Sequence, residues 1–249
     1  MIVLSAGMPK AGSGWYFNLT NDLLIAAGHR DVREIRQEFH LQAILRHHNC
    51  NIGAPNRWKL LRTIVPHLLG HSYAVKTHGR PTPTLHLLLY TNVVRATYIH
   101  RDPRDVVISA FEHGQRLRER GETHTFAKYT SIKASISIVA NEYLATSDAW
   151  TTYSQAMPSR VLITRYEDLV ANTLGELKRL ADFLALCAPP DSLHKIADTY
   201  QSVDGRADEE ALHFNKGIVG RFRSLMTPEE LELSRLRFGS YLRRMGYAE

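Results

Sequence analysis

One α/β domain, a central parallel sheet flanked by helices, is the fold class this sequence predicts, and three observations carry it. Short apolar runs that read as strands alternate with longer amphipathic segments that read as helices. At 249 residues the chain suits one such domain with a large buried core. The unusual small-residue and charged motifs fall directly after the strands, where ligands bind in sheets of this kind. No internal repeat or low-complexity tract interrupts the alternation, so a single domain over residues 1–249 is expected.

The elements follow in order. Ile2-Val3-Leu4 is the first strand, and a loop of small residues leads from it into a helix over Trp15 to Ala27, stopped by Gly28. Residues 29–58 are rich in His and Arg and irregular, and are expected to add helices and a loop near the site. Trp58 to Leu69 is an amphipathic helix ended by Gly70. Ser72 to Thr77 is the second strand, ending at His78-Gly79; Pro81-Thr82-Pro83 is a stiff connection into a helix over Thr84 to Thr91. Arg95 to His100 is the third strand. Asp102 is a good N-cap with Pro103 at the first helical position, so a helix starts over Pro103 to Phe111. Residues 113–130 are polar and are expected to form a loop or lid, and Ile132 to Tyr153 one long buried helix. Arg160 to Thr164 is the fourth strand, and Tyr166-Glu167-Asp168 opens the next helix with favourable acidic residues. Helices follow over Leu174 to Leu184, from Ser192 to Thr199, and over Pro228 to Met245 with Gly246 as its cap. Residues 201–217 have no periodicity and are expected to be a mobile segment.

Composition narrows the classes. With 44% hydrophobic and 22% charged residues the chain is an ordinary soluble globular protein. The formal charge of +6 is not gathered into a basic block interleaved with aromatics, so a local anionic site explains it better than nucleic acid. Cys50 and Cys187 lie far apart without a C-x-x-C context, which suits a reduced intracellular chain. No signal peptide or membrane-length apolar run is present, and a cytoplasmic location is expected.

The first loop, Gly7 to Trp15, has the strand–loop–helix form in which backbone N–H groups converge on a phosphate. Gly7 and Gly12 have the spacing of a nucleotide-triphosphate loop, G-x-x-x-x-G-K-[ST], but Ser13-Gly14 stands where Lys-Ser/Thr belongs, and the loop's lysine is Lys10. After the second strand, Lys76-Thr77-His78 sets a histidine beside a cation, suited to taking a proton from a hydroxyl. After the third, Arg101 offers a bidentate fork for a phosphate, and Ser109, eight residues on, lies close to the same helix face. After the fourth, Tyr166 can stack on or bond a base. Near the C-terminus, Asn215-Lys216-Gly217-x-x-Gly220 pairs a cation with two flexible positions. Each motif alone is weak, and the structural alternatives are a polar rim, a capped helix and ordinary cap chemistry.

Together, in this order and spanning residues 3–222, the motifs resemble the sulfotransferases that use 3′-phosphoadenosine 5′-phosphosulfate (PAPS). Pro9 to Trp15 is similar to that family's phosphosulfate loop, Arg101 to Ser109 to its 3′-phosphate motif, Lys76-Thr77-His78 to its K-T-H, Tyr166-Glu167-Asp168 to its Y-E-D, and Lys216 to Gly220 to its K-G-x-x-G. The resemblance implies a P-loop-NTPase-like sulfotransferase fold with PAPS as donor, PAP as product and no metal. It further implies that Lys10, the N–H groups of Ala11, Gly12, Ser13 and Gly14, and the Ser13 hydroxyl hold the 5′-phosphosulfate. Trp15 and Tyr166 would meet the adenine, and Thr199 sits where relatives place another adenine contact. Arg101, Ser109, Asn215, Lys216 and Gly217 would hold the 3′-phosphate. His78 would be the base that deprotonates the acceptor, and Lys76 would steady the group in transfer.

The chain also departs from that pattern. Gly14 replaces a second Thr/Ser, Asn215 stands where Arg is common, and Arg221-Phe222 replaces Asp-Trp. The competing readings are a P-loop kinase, which lacks its lysine after Gly12, and a non-catalytic nucleotide-binding protein, against which Lys10, Lys76, His78 and Arg101 argue. His47-His48 and the His67/His71 pair lack the partner residues of a metal motif. The acceptor is expected to be a hydroxyl on a small molecule, lipid or sugar, selected by residues 36–60, 79–90, 112–140 and 201–215, which carry no readable code. Nucleic acid and a membrane span are not expected, and no oligomerisation motif is evident.

Overall fold

The computed structural model describes residues 1–122, 124–201 and 217–248. Its centre is a four-stranded parallel sheet of order β2-β1-β3-β4, made of β1 (Ile2–Gly7), β2 (Tyr73–Thr77), β3 (Val94–His100) and β4 (Val161–Arg165). β1 is buried along its whole length because it is paired on both edges, Ser5 lying between Lys76 of β2 and Thr97 of β3. The chain leaves β1 for β2 on one side and then crosses to β3 on the other. The sheet therefore has its topological switch point at the carboxyl end of β1, between the loops that follow β1 and β3. The outer edge of β2 is covered by residues 50–52: Ile52 N–H donates to the Lys76 carbonyl and Lys76 N–H to that of Cys50.

Helices α1 (Ser13–Ala26), α2 (Val32–Glu38) and α3 (Arg57–Leu68) lie between β1 and β2, α4 (Pro83–Tyr90) lies between β2 and β3, and α5 (Pro103–Glu119) follows β3. α1 carries the deepest part of the core, with Trp15, Phe17, Leu19, Leu23 and Leu24 all buried, each such side chain contributing about 1.5–3 kcal/mol. Two expectations are overturned. Residues 113–130 are not a free loop: α5 continues to Glu119, a 3-10 turn spans Thr125–Lys128, and Tyr129 is buried. Arg118 holds this stretch down by donating to the carbonyls of Ala127 and Tyr129 at 3.0 and 2.9 Å, a tertiary anchor that polar composition hides. The long helix over Ile132 to Tyr153 is two helices, α6 (Ile132–Glu142) and α7 (Leu144–Ala156). They break at Tyr143, whose hydroxyl bonds that of Tyr129 at 2.6 Å.

After β4 come α8 (Tyr166–Ala171), α9 (Thr173–Leu184), α10 (Pro190–Gln201), α11 (Phe222–Leu225) and α12 (Pro228–Arg244). α12 opens with a capping box between Thr227 and Glu230. Trp150 of α7 is fully buried, stacks on Tyr98 at 5.8 Å and donates to the Gly79 carbonyl, tying α7 to β3 and to the turn after β2. Among the described residues no helix is long and apolar enough to cross a membrane.

Candidate active site

The loop after β1 is built from backbone constraints. A side chain at Gly7 would place its Cβ 2.6 Å from Ile99 Cγ2 and 2.8 Å from Ser13 Cβ, so only glycine lets the strand turn directly into α1. Lys10 and Gly12 then take left-handed φ of 63° and 78°, and a Cβ at Gly12 would come within 2.6 Å of the Tyr166 ring. Gly12→Ala is expected to destabilise the protein by about 1–3 kcal/mol through strain and overlap. A melting curve checks this as a loss of about 2–4 °C for each kcal/mol. α1 itself begins at Ser13 without a side-chain cap and without an acidic residue in its first turn. A helix start with neither a side-chain cap nor an acidic residue is suited to an anion.

Cations converge on this loop. Burial holds Lys10 down to a pKa of about 8, with further lowering by Arg116, Lys76 and Arg101 and a partial offset from Glu112. The ammonium also lies 5.5 Å from the centre of the Phe126 ring. Lys76, on β2 one strand away, is 4% exposed and is likewise pushed down to about 8 by burial. Two desolvated ammonium groups and a buried guanidinium that repel one another form a site whose charge is balanced when a multivalent anion enters. Glu112 is engaged in a two-pronged ion pair with Arg221, the residue that departs from the motif.

His78 sits just past β2 with Nδ1 2.7 Å from the carbonyl oxygen of Gly7. A carbonyl only accepts, so Nδ1 carries a proton, and whenever the ring is neutral Nε2 is its basic nitrogen. The histidine is thereby oriented by the loop after β1. It lines a cavity of about 190 Å³ together with Met8, Pro9, Tyr98, Glu142, Tyr143 and Thr146. Tyr98 comes to this wall from β3, and Glu142, Tyr143 and Thr146 from the break between α6 and α7, a long-range arrangement that local sequence patterns do not show.

At the end of β3, Arg101 is buried, with its guanidinium 4.4 Å over the Tyr166 ring. It donates to Asp105 at 3.3 Å and to the Ile218 carbonyl at 2.8 Å. Ser109 is buried one turn beyond Asp105 on the same helix. Asp105 is the residue that sequence reasoning missed: its carboxylate accepts from Gly220 N–H at 2.7 Å and Phe222 N–H at 3.2 Å, fastening the C-terminal glycine motif to Arg101. Its place one helical turn after Arg101, inside the same motif, was the available signal. Gly217 and Gly220 both have positive φ, 61° and 78°; Asn215 and Lys216 lie outside the described residues. Tyr166 lies under the loop, against Gly12, Arg101 and, edge to face, Trp15 at 5.9 Å. Thr199 is exposed on α10 and gives its hydroxyl to the Lys195 carbonyl of its own helix. Met1's amino group bonds His67 Nδ1, and among the described residues no cluster of three or more His, Cys, Asp or Glu could hold a metal.

A parallel α/β sheet with a glycine loop opening its first helix, and cations gathered over that loop at the switch point, is an arrangement suited to a phosphorylated or sulfated ligand. The chain belongs to the sulfotransferase domain family, whose model matches residues 2–246. It is similar to cytosolic sulfotransferase 3 of Arabidopsis thaliana, 26% identical over 66% of this chain and 59% of that protein. It also resembles sulfotransferase 2A2 of Rattus norvegicus, 22% identical over 51% of this chain and 46% of the relative; these matches span about half the length of the relatives. Retinol dehydratase solved with androsterone and inactive cofactor PAP shares the fold at a TM-score of 0.64 and 16% identity, covering 97% of this chain and 80% of that one. Mouse sulfotransferase SULT7A1 complexed with PAP does so at 0.59 and 16%, covering 98% and 87%.

Proposed function

We propose that this protein moves the sulfuryl group of PAPS to the hydroxyl of a small acceptor, releasing PAP. The observation that carries the reading is the convergence of Lys10, Lys76 and Arg101 on an uncapped helix start, with His78 held by the same loop. Family membership and the PAP seen in two structures of the same fold support it. In this reading Lys10 with the α1 terminus takes the 5′ group of a nucleotide phosphorylated at both the 3′ and 5′ positions, and Arg101 with Ser109 takes its 3′-phosphate.

In this reading the acceptor oxygen attacks sulfur while its proton passes to Nε2 of His78, and the bond from sulfur to the bridging phosphate oxygen breaks. Lys10 and Lys76 stabilise the charge that builds on the leaving and transferring oxygens. Tyr166 packs the two halves of the donor site together. The cavity beside His78 is walled by Met8, Pro9, Tyr98 and Tyr143, and this favours an apolar or aromatic alcohol over a sugar. The deciding experiment is thermal stability with PAP, with ATP–magnesium, or with neither. Stabilisation by PAP is expected, and stabilisation by ATP–magnesium alone would sink the reading. Turnover with PAPS across phenols, steroid-like alcohols, lipid alcohols and sugars then identifies the acceptor.

The lysines add a pH dependence. Both have pKa values near 8 in the free protein, and an incoming anion favours their charged forms. PAP affinity is therefore expected to be full below pH 8 and to fall as pH rises through it, because binding must then recover protons. Above pH 8 the logarithm of the dissociation constant should climb by about one to two for each pH unit. Titration calorimetry from pH 7 to 9.5 checks it; a flat profile would show that neither lysine meets the ligand.

A further inference from the structure

Helix α3 presents an apolar face that none of the other described residues covers. Its inner side buries Leu60, Thr63 and Pro66. On the opposite side Trp58, Leu61, Val65 and Leu68, with Leu69 just beyond, are exposed, Trp58 at 74% and Leu68 at 76%. At 100° per residue these five fall within one arc of about 100°, with Arg57 at one border and Arg62 at the other, both exposed. Helix α4 packs beside α3 and exposes Leu87 and Tyr90. The two helices start together at the carboxyl end of β2, where Thr82 Oγ1 donates to the Pro55 carbonyl and Thr77 Oγ1 to that of Gly53, next to His78.

The charge around this face has one sign. From residue 39 to residue 101 the sequence holds eight Lys and Arg and not one Asp or Glu. A second copy packed face to face would bring arginine rims together with no carboxylate from this region to pair them, so self-association is disfavoured. A convex ridge of Trp, Leu and Val bordered by arginines, with a tyrosine nearby, is the form of a helix that lies in a membrane interface. We propose that the α3–α4 face docks on a bilayer carrying anionic phospholipids, with Trp58, Leu61, Val65 and Leu68 entering the headgroup boundary and Arg57 and Arg62 meeting lipid phosphates.

The test needs no donor or acceptor, so its outcome is independent of the catalytic reading. The full chain is mixed with vesicles of pure phosphatidylcholine, or with 30% phosphatidylglycerol added, and sedimented. Binding to the anionic vesicles only, weakened by 0.5 M salt, is expected. Of the three tryptophans Trp15 and Trp150 are buried, so a blue shift of fluorescence on binding reports Trp58. Trp58→Phe should abolish the shift while leaving sedimentation largely intact. Arg57→Glu with Arg62→Glu should lower partitioning at least about tenfold, and Leu61→Ser with Leu68→Ser should abolish it, while melting temperature and PAP affinity stay unchanged because these side chains face solvent. Absence of binding to anionic vesicles at low salt overturns the proposal. So does a dimer in solution that Leu68→Glu dissociates, which would give the face to a second copy.

Discussion

His78→Ala is expected to lower kcat by about 10²–10⁴-fold, the range that positioned general bases contribute, while PAP affinity changes little. The split follows from the geometry. His78 touches the loop through Nδ1 and the Gly7 carbonyl and lines the neighbouring cavity, so in the proposed reaction its loss removes the proton acceptor and leaves Lys10, Lys76 and Arg101 in place for the donor. One hydrogen bond to the loop is also lost, at a net cost of about 1 kcal/mol in stability. His78→Gln is the informative companion: its amide can still donate to the Gly7 carbonyl but has no basic nitrogen. Glutamine restoring the melting temperature but not turnover supports the base. Turnover at the wild-type rate in either variant would place the base elsewhere, with Glu142 in the same cavity the first alternative to examine.

Arg101→Ala should weaken PAP by about 1.5–3 kcal/mol, a factor of roughly 10 to 150, and lower kcat/KM for PAPS to match. Arg101 links the ring of Tyr166, the carboxylate of Asp105 and the carbonyl of Ile218, so it ties the end of β3 to the C-terminal glycine motif. Its assignment to the 3′-phosphate has a specific consequence. Adenosine 5′-phosphosulfate, which lacks that phosphate, should bind the variant and the parent alike. Arg101→Lys should recover only part of the PAP affinity, since an ammonium cannot supply the planar fork. Unchanged PAP affinity in Arg101→Ala would remove the residue from the site; equal losses for both nucleotides would make its role structural.

Strand and helix periods, turn residues and caps are local properties, and the residues that carry them could be read in order. Gly28, Gly70 and Gly246 end helices with positive φ, and Asp102 caps α5 by accepting from Arg104 N–H. The site motifs were legible for a related reason: a phosphate-binding loop is a short contiguous segment whose glycines and lysine have to stand at set spacings. The sequence alone therefore determined the parallel α/β class, the strand ends that carry Lys10, Lys76, His78, Arg101 and Tyr166, and the family resemblance. Tertiary structure decided what depends on segments far apart in the chain. Asp105 reaches Gly220 across 115 residues and His78 reaches Gly7 across 71. Tyr129 bonds Tyr143 where one helix had been expected, and Arg118 holds the stretch read as a lid. The desolvation that drops two lysines to about 8 is likewise a property of their packed surroundings. Residue type sets what a side chain can donate, accept or protonate; only the packed chain decides which partner it meets and how far water is kept from both.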